Sequence, residues 1–150
     1  MSQPALFELI GGLPGVHRLA HAWHERVLAD EVVSHAFSHG FHPQHTERLA
    51  AYWAEAWGGP DLYSGKYGSE SSVVRMHSGN GVHEEMNRRA IACFDAALGD
   101  AGVQDPVVRQ ALLAYFTWAT IVRMSGYPKS AGAVPHDLTL ARWSLAGLQE

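Results

Sequence analysis

The sequence has one cysteine, Cys93. A lone cysteine rules out an intramolecular disulfide and a cysteine-based zinc cluster. A single thiol also suits a reducing cytoplasm. Positive charge is short as well: 11 Lys and Arg stand against 15 Asp and Glu, a net charge of −4 with His neutral. That balance leaves no basic footprint for nucleic acid and no polybasic patch for a lipid surface. Long apolar runs are missing too. No stretch approaches the ~20 residues that span a bilayer. The opening MSQPALFELIGG has no basic region followed by a long apolar run, so it does not read as a signal peptide. The expectation is a cytoplasmic protein with neither nucleic acid nor membrane as partner.

Several chemistries are missing with these. HExxH fails twice, because His24-Glu25 runs to Leu28 and His83-Glu84 to Asn87. No GxGxxG, GxxxxGK[ST] or GxSxG motif occurs, so nucleotide and serine-hydrolase readings start weak. No CxxCH offers covalent haem attachment.

What the chain does have is length and histidine. At 150 residues and 47% hydrophobic it suits one domain that folds without a staple. Ten histidines are present, and seven of them lie between His17 and His45. β signals are scarce and helical spacing is common, so the expected class is all-α.

Pro4 to Ile10 reads as a short helix stopped by Gly11-Gly12, and Pro14 opens a second that runs to about Ala29. Asp30 can cap a short helix through Phe37, which Ser38-His39-Gly40 ends. Pro43 can open the next, with Leu49, Tyr52, Trp53, Ala56 and Trp57 on one broad face until Gly58-Gly59-Pro60. Residues 61 to 71 read as loop, followed by a helical turn to His77. From about Val82 to Leu98 the inward positions are Met86, Ala90, Cys93, Phe94 and Ala97. Asp105-Pro106 caps a last helix to about Met124, apolar almost all round and therefore central. Leu138, Leu140, Trp143 and Leu145 give the Gly-, Pro- and Ala-rich tail something to pack with.

Two histidine groupings stand out. His17, His21 and His24 fall at i, i+4 and i+7, one helix face that could hold a metal or simply face water. The carboxylates Glu25, Glu47, Glu55, Glu84 and Glu85 mostly read as surface residues. The other grouping is His24, His45 and His77, each on a different helix and all near Trp23, Phe37, Phe41, Tyr52, Trp53 and Trp57. A large apolar cavity with a few inward histidines is what a flat macrocycle carrying iron requires.

The stretches LIGGLPGVHRLAHAWHERVLAD, LAAYWAEAWGGPDLY, VVRMH and NRRAIACF resemble the truncated haemoglobin family, group II. AWGGPDLY is the most specific piece, and the likeness covers about residues 8 to 124. It implies a truncated globin fold, a two-over-two helical sandwich around haem, over residues 1–124. Residues 125–150 would then be a C-terminal extension packed on that domain. The implied cofactor is haem b, iron protoporphyrin IX, bound to the chain's metal ligand His77. Phe37 matches the aromatic that packs on haem, His45 the distal gate, and Leu49 the residue one turn further over the iron. Tyr52 and Trp53 match the haem edge, and Arg48 and Tyr63 the propionate positions. Arg75 lies in the run that ends at His77, and Met86 and Ala90 lie on the inward face beyond it.

Two departures from the family pattern matter. His24 stands where group II members carry a tyrosine that donates to the bound ligand. Ala90 stands where they carry a tryptophan, so the distal pocket is expected to be wider. His24 and His45 can replace the missing donors, or one of them can take the sixth iron position. HSGNG also departs from the commoner HxPF. The implied function is binding of O2, NO or other small diatomic ligands. NO dioxygenase or weak peroxidase activity would need an electron donor, since nothing in the chain binds NAD or flavin. Exposed apolar residues on the last helix and tail favour a homodimer. The alternative is a haem-free all-α metal-binding or interaction module built on the His17/His21/His24 face.

Overall fold

The computed structural model describes residues 4–37, 43–79, 81 and 83–149, without the side chains of residues 36 and 37. Among the described residues six helices run in order: α1 (Leu6–Leu9), α2 (Gly12–Ala29), α3 (His45–Ala56), α4 (Glu70–Met76), α5 (Glu84–Asp100) and α6 (Pro106–Trp118). A 3-10 turn at Val33–Phe37 follows α2, and a π-helical segment, Ala119–Met124, continues α6. Two three-residue strands, β1 (Arg142–Ser144) and β2 (Gly147–Gln149), form an antiparallel hairpin in the tail. They are the departure from the all-α expectation, and they leave its class unchanged.

Helix α2 packs against both α3 and α5, and α5 packs against α6. Leu19, Trp57, Phe94, Leu98, Leu112 and Tyr115 are fully enclosed between these helices. Each side chain of this size contributes roughly 1.5–3 kcal/mol through burial. Phe94 stacks on Phe116 with ring centroids 4.3 Å apart, and Trp53 stacks on Trp57 at 5.4 Å. The aromatic helix faces predicted from 3.6-residue spacing therefore meet in one core.

The helix ends follow local chemistry. The Asp105 carboxylate accepts from the amides of Val107 (2.8 Å) and Val108 (3.3 Å), with Pro106 in the first turn. Asp30 does the same for Val32 and Val33 ahead of the 3-10 turn. The break between α1 and α2 requires glycine, since Gly11 has φ 104° and Gly15 sits against the Ile10 carbonyl with no room for a Cβ. Helix α3 begins at His45 rather than at Pro43. Its far end is held by α1, whose Phe7 amide donates to the Trp57 carbonyl at 2.9 Å.

Candidate functional site

Helix α4 has only seven residues, and its start is chemically fixed. The Ser69 hydroxyl accepts from the Ser72 amide (3.1 Å), and the Ser72 hydroxyl accepts from the Ser69 amide (3.2 Å). Its end is marked by His77, followed by Ser78 and by Gly79 at φ 80°. The Ser78 hydroxyl donates to the Val74 carbonyl at 2.6 Å. His77 is exposed, and its Nδ1 lies 2.8 Å from the Val73 carbonyl. A carbonyl only accepts, so Nδ1 carries the proton. The Nε2 lone pair then remains available to a metal, the tautomer that a second hydrogen bond selects in histidine ligands.

A second histidine cluster lies between α2 and α3. The rings of His24 and His45 have centroids 4.5 Å apart, and His24 Nδ1 shares a hydrogen bond with the Thr46 hydroxyl at 3.3 Å. Burial, helped by His21, holds the His24 pKa below the ordinary histidine value, against an opposing pull from Glu25. His24 is therefore neutral at pH 7. One turn beyond His45, Leu49 is half-buried against the core. The Arg48 guanidinium sits 5.1 Å from the centre of the Tyr67 ring, which tilts against Tyr63. Burial raises the Tyr63 pKa, so its phenol stays protonated.

The other sequence candidates divide. Tyr52 is buried and donates to Glu70 at 2.6 Å, which ties α3 to α4. Trp53 lies inside the aromatic core, edge-on to Trp23 and Phe94. Met86 is half-buried against the same core. Ala90 is buried, and its carbonyl accepts from the Trp23 indole at 3.2 Å. Arg75 turns toward the tail, where its Nη2 lies 2.8 Å from His136 Nδ1. The Phe37 side chain lies outside the described residues, as do Phe41 and Ser38-His39-Gly40.

The His17/His21/His24 face does not act as a unit. His17 and His21 are exposed, His21 pairs with Glu25 at 3.2 Å, and His24 is buried toward His45. Among the described residues no three His, Cys, Asp or Glu side chains gather as a metal site. What α4 offers is one oriented imidazole. That donor set would fit haem, whose porphyrin itself would supply most of the iron's ligands, so that one histidine from the chain suffices.

Two buried carboxylates escaped the sequence reading. Glu55, expected at the surface, is buried; its Oε1 accepts from the Tyr63 (3.1 Å) and Ser64 (2.8 Å) amides and its Oε2 from the Ser64 hydroxyl (2.7 Å). It folds the loop after Gly58-Gly59-Pro60 back onto α3. Glu70 holds the Tyr52 hydroxyl, with Arg123 at 3.7 Å from its other oxygen. Only the position of Glu55 three residues before a glycine pair hinted at a turned chain.

The bacterial-like globin family model matches residues 5–120. The chain belongs to the bacterial-like globin family. Haem-based oxygen binding is the broad function of such a globin. This globin is 28% identical over 109 residues to a group 1 truncated hemoglobin of Tetrahymena thermophila, covering 73% of this chain and 86% of that protein. It is 28% identical over 107 residues to a group 1 truncated hemoglobin of Synechocystis sp., covering 70% and 84%. The hemoglobin of Chloroflexus aurantiacus superposes with a TM-score of 0.70 at 27% identity, over 81% of this chain and 98% of that one. The group II truncated hemoglobin of Bacillus anthracis gives 0.73 at 19% identity, over 88% and 98%, and speaks for the fold alone. The group II-like motifs therefore sit in a globin whose sequence relatives here carry group 1 names.

Proposed function

We propose that this globin holds haem b through His77 and binds O2, NO or another small diatomic ligand on the side where His24 and His45 meet. The observation that carries this is the His77 Nδ1 to Val73 carbonyl hydrogen bond, which fixes the ring and leaves Nε2 as the donor. Haem, when bound, would supply a redox-active iron able to take such a ligand. The chain's own residues shape the rest. Arg48 brings a positive charge suited to a propionate. His24, kept neutral by burial, can offer a ring N–H to the ligand without bringing a charge into an apolar site. Thr46 fixes the His24 ring from the Nδ1 side.

NO dioxygenase or weak peroxidase activity belongs to the same proposal and requires an external electron donor. A homodimer is proposed on the exposed Val107, Ile121, Val122 and Leu148. A cytoplasmic setting agrees with the lone buried Cys93, whose thiol pKa is raised by burial.

The test is His77→Ala, compared with the parent protein after haem loading. The parent should keep stoichiometric haem through gel filtration. The variant should lose it while its far-ultraviolet dichroism is unchanged. Equal retention in both would remove His77 as the ligand.

A further inference from the structure

The chain beyond the family match makes a run of contacts on one short stretch. Burial raises the Glu70 pKa against several stabilising contacts, among them the backbone of Ala141. The buried Ser71 hydroxyl accepts from the Leu138 amide at 3.0 Å. Arg75 meets His136 at 2.8 Å. The amides of Gly79 and Gly81 donate to the carbonyls of Tyr127 (3.0 Å) and Pro128 (2.8 Å). A Cβ on Gly79 would lie 3.2 Å from the Ala131 nitrogen, so the two backbones are in close approach. These contacts begin seven residues before His77 and end four after it. Val134, in the middle of the tail segment, is buried and anchors it.

The helix that receives these contacts needs them. Seven residues are well below the roughly 12–15 at which an isolated helix becomes even marginally stable. The Val73 carbonyl fixes the His77 ring relative to α4, but something else must fix α4 relative to the body. On the core side Tyr52 does this through Glu70. On the other side the tail does it.

We propose that residues 127–141 form a strap that holds α4 and its following loop, and so sets the angle at which His77 presents Nε2. His136 and Ser71 are then positioning residues. His136 acts through Arg75, which only donates, so His136 Nδ1 is the acceptor in that bond. The inference rests on the reading of His77 as haem ligand.

The test uses the full chain, with and without haem. His136→Ala removes an exposed side chain, so the fold should not depend on it, and Ser71→Ala removes one hydroxyl. In the haem-free protein, amide exchange over residues 73–77 should quicken about fivefold in each, the effect of one lost hydrogen bond. In the loaded ferrous protein, the iron–histidine stretching band in resonance Raman should shift or broaden. His136→Gln, whose amide oxygen can accept from Arg75, should restore both readings. Unchanged exchange in both alanine variants would overturn the strap. Faster exchange with an unmoved Raman band would show a stabilising tail that does not orient His77, and would overturn the positioning claim. A parent protein whose band survives His77→Ala would remove the ligand assignment itself, and with it the inference, while the haem-free exchange result would still report on the strap.

Discussion

Glu55→Ala should be among the most damaging changes of a polar residue in this globin. The carboxylate is 3% exposed and accepts from the amides of Tyr63 and Ser64 and from the Ser64 hydroxyl. A hydrogen bond to a charged group is worth about 1.5–3 kcal/mol net. The Ser64 hydroxyl can turn to water, because Ser64 is exposed. Removing the two amide bonds should therefore cost about 3–4 kcal/mol, counting each near the low end of that range. Glu55→Gln keeps an oxygen for both amides and gives the Ser64 hydroxyl a donor to accept from, so its cost should be about 1 kcal/mol. Urea unfolding followed by tryptophan fluorescence measures both, with the slope checked so that a midpoint change reads as stability. An alanine variant within about 0.5 kcal/mol of the parent, the ordinary surface range, would refute the reasoning. So would a glutamine variant as damaged as the alanine, since charge rather than these donors would then be at issue.

Two pH effects follow from buried groups. His24 has a lowered pKa in the folded chain, so the unfolded chain binds the proton more tightly and stability falls as pH drops through the ordinary histidine range near 6.5. His24→Leu should flatten that limb of a thermal-midpoint profile, and an unchanged limb would assign the acid sensitivity elsewhere. Glu70 behaves in the opposite sense. Its folded pKa is raised by burial, so its proton favours folding, and that contribution is lost as pH rises from the ordinary carboxylate value through the folded one. Glu70→Gln keeps an acceptor for Tyr52 and gives up the Arg123 pair; relative to the parent it should gain stability as pH rises from about 4.5 toward neutrality. A constant offset across that range would contradict the assignment.

The sequence was most legible where one residue type has one local use. Asp105-Pro106 and the Gly11-Gly12 break each carry a backbone requirement, and each lies where a helix starts or ends in the structure. His77 was legible as the end of a helical turn, and it caps α4 in the structure; its part as a haem ligand came only from the family resemblance. What depended on contacts between distant segments was not. Glu55 looks like a surface carboxylate on α3 until residues 63 and 64 fold over it. The pairing of Arg75 with His136 spans 61 residues and leaves no local pattern. The shift from α to π geometry at Ala119 is hidden in a run that is apolar almost all round, and within it Ile121 and Val122 end up exposed. Three-residue strands such as β1 and β2 are too short to show alternation. The histidine stripe on α2 was ambiguous for a related reason. Spacing places His17, His21 and His24 on one face, but burial separates His24 from the other two.

If His77 holds haem in this chain, a small ligand such as CO should reach the iron. Absorption spectra of the purified, haem-loaded protein in the oxidised, reduced and reduced-plus-CO states test it most directly. The Soret band should move sharply on adding CO. The reduced spectrum before CO would show whether His24 or His45 occupies the sixth position. A protein with no Soret band that also takes up no added haem would contradict haem binding by this chain.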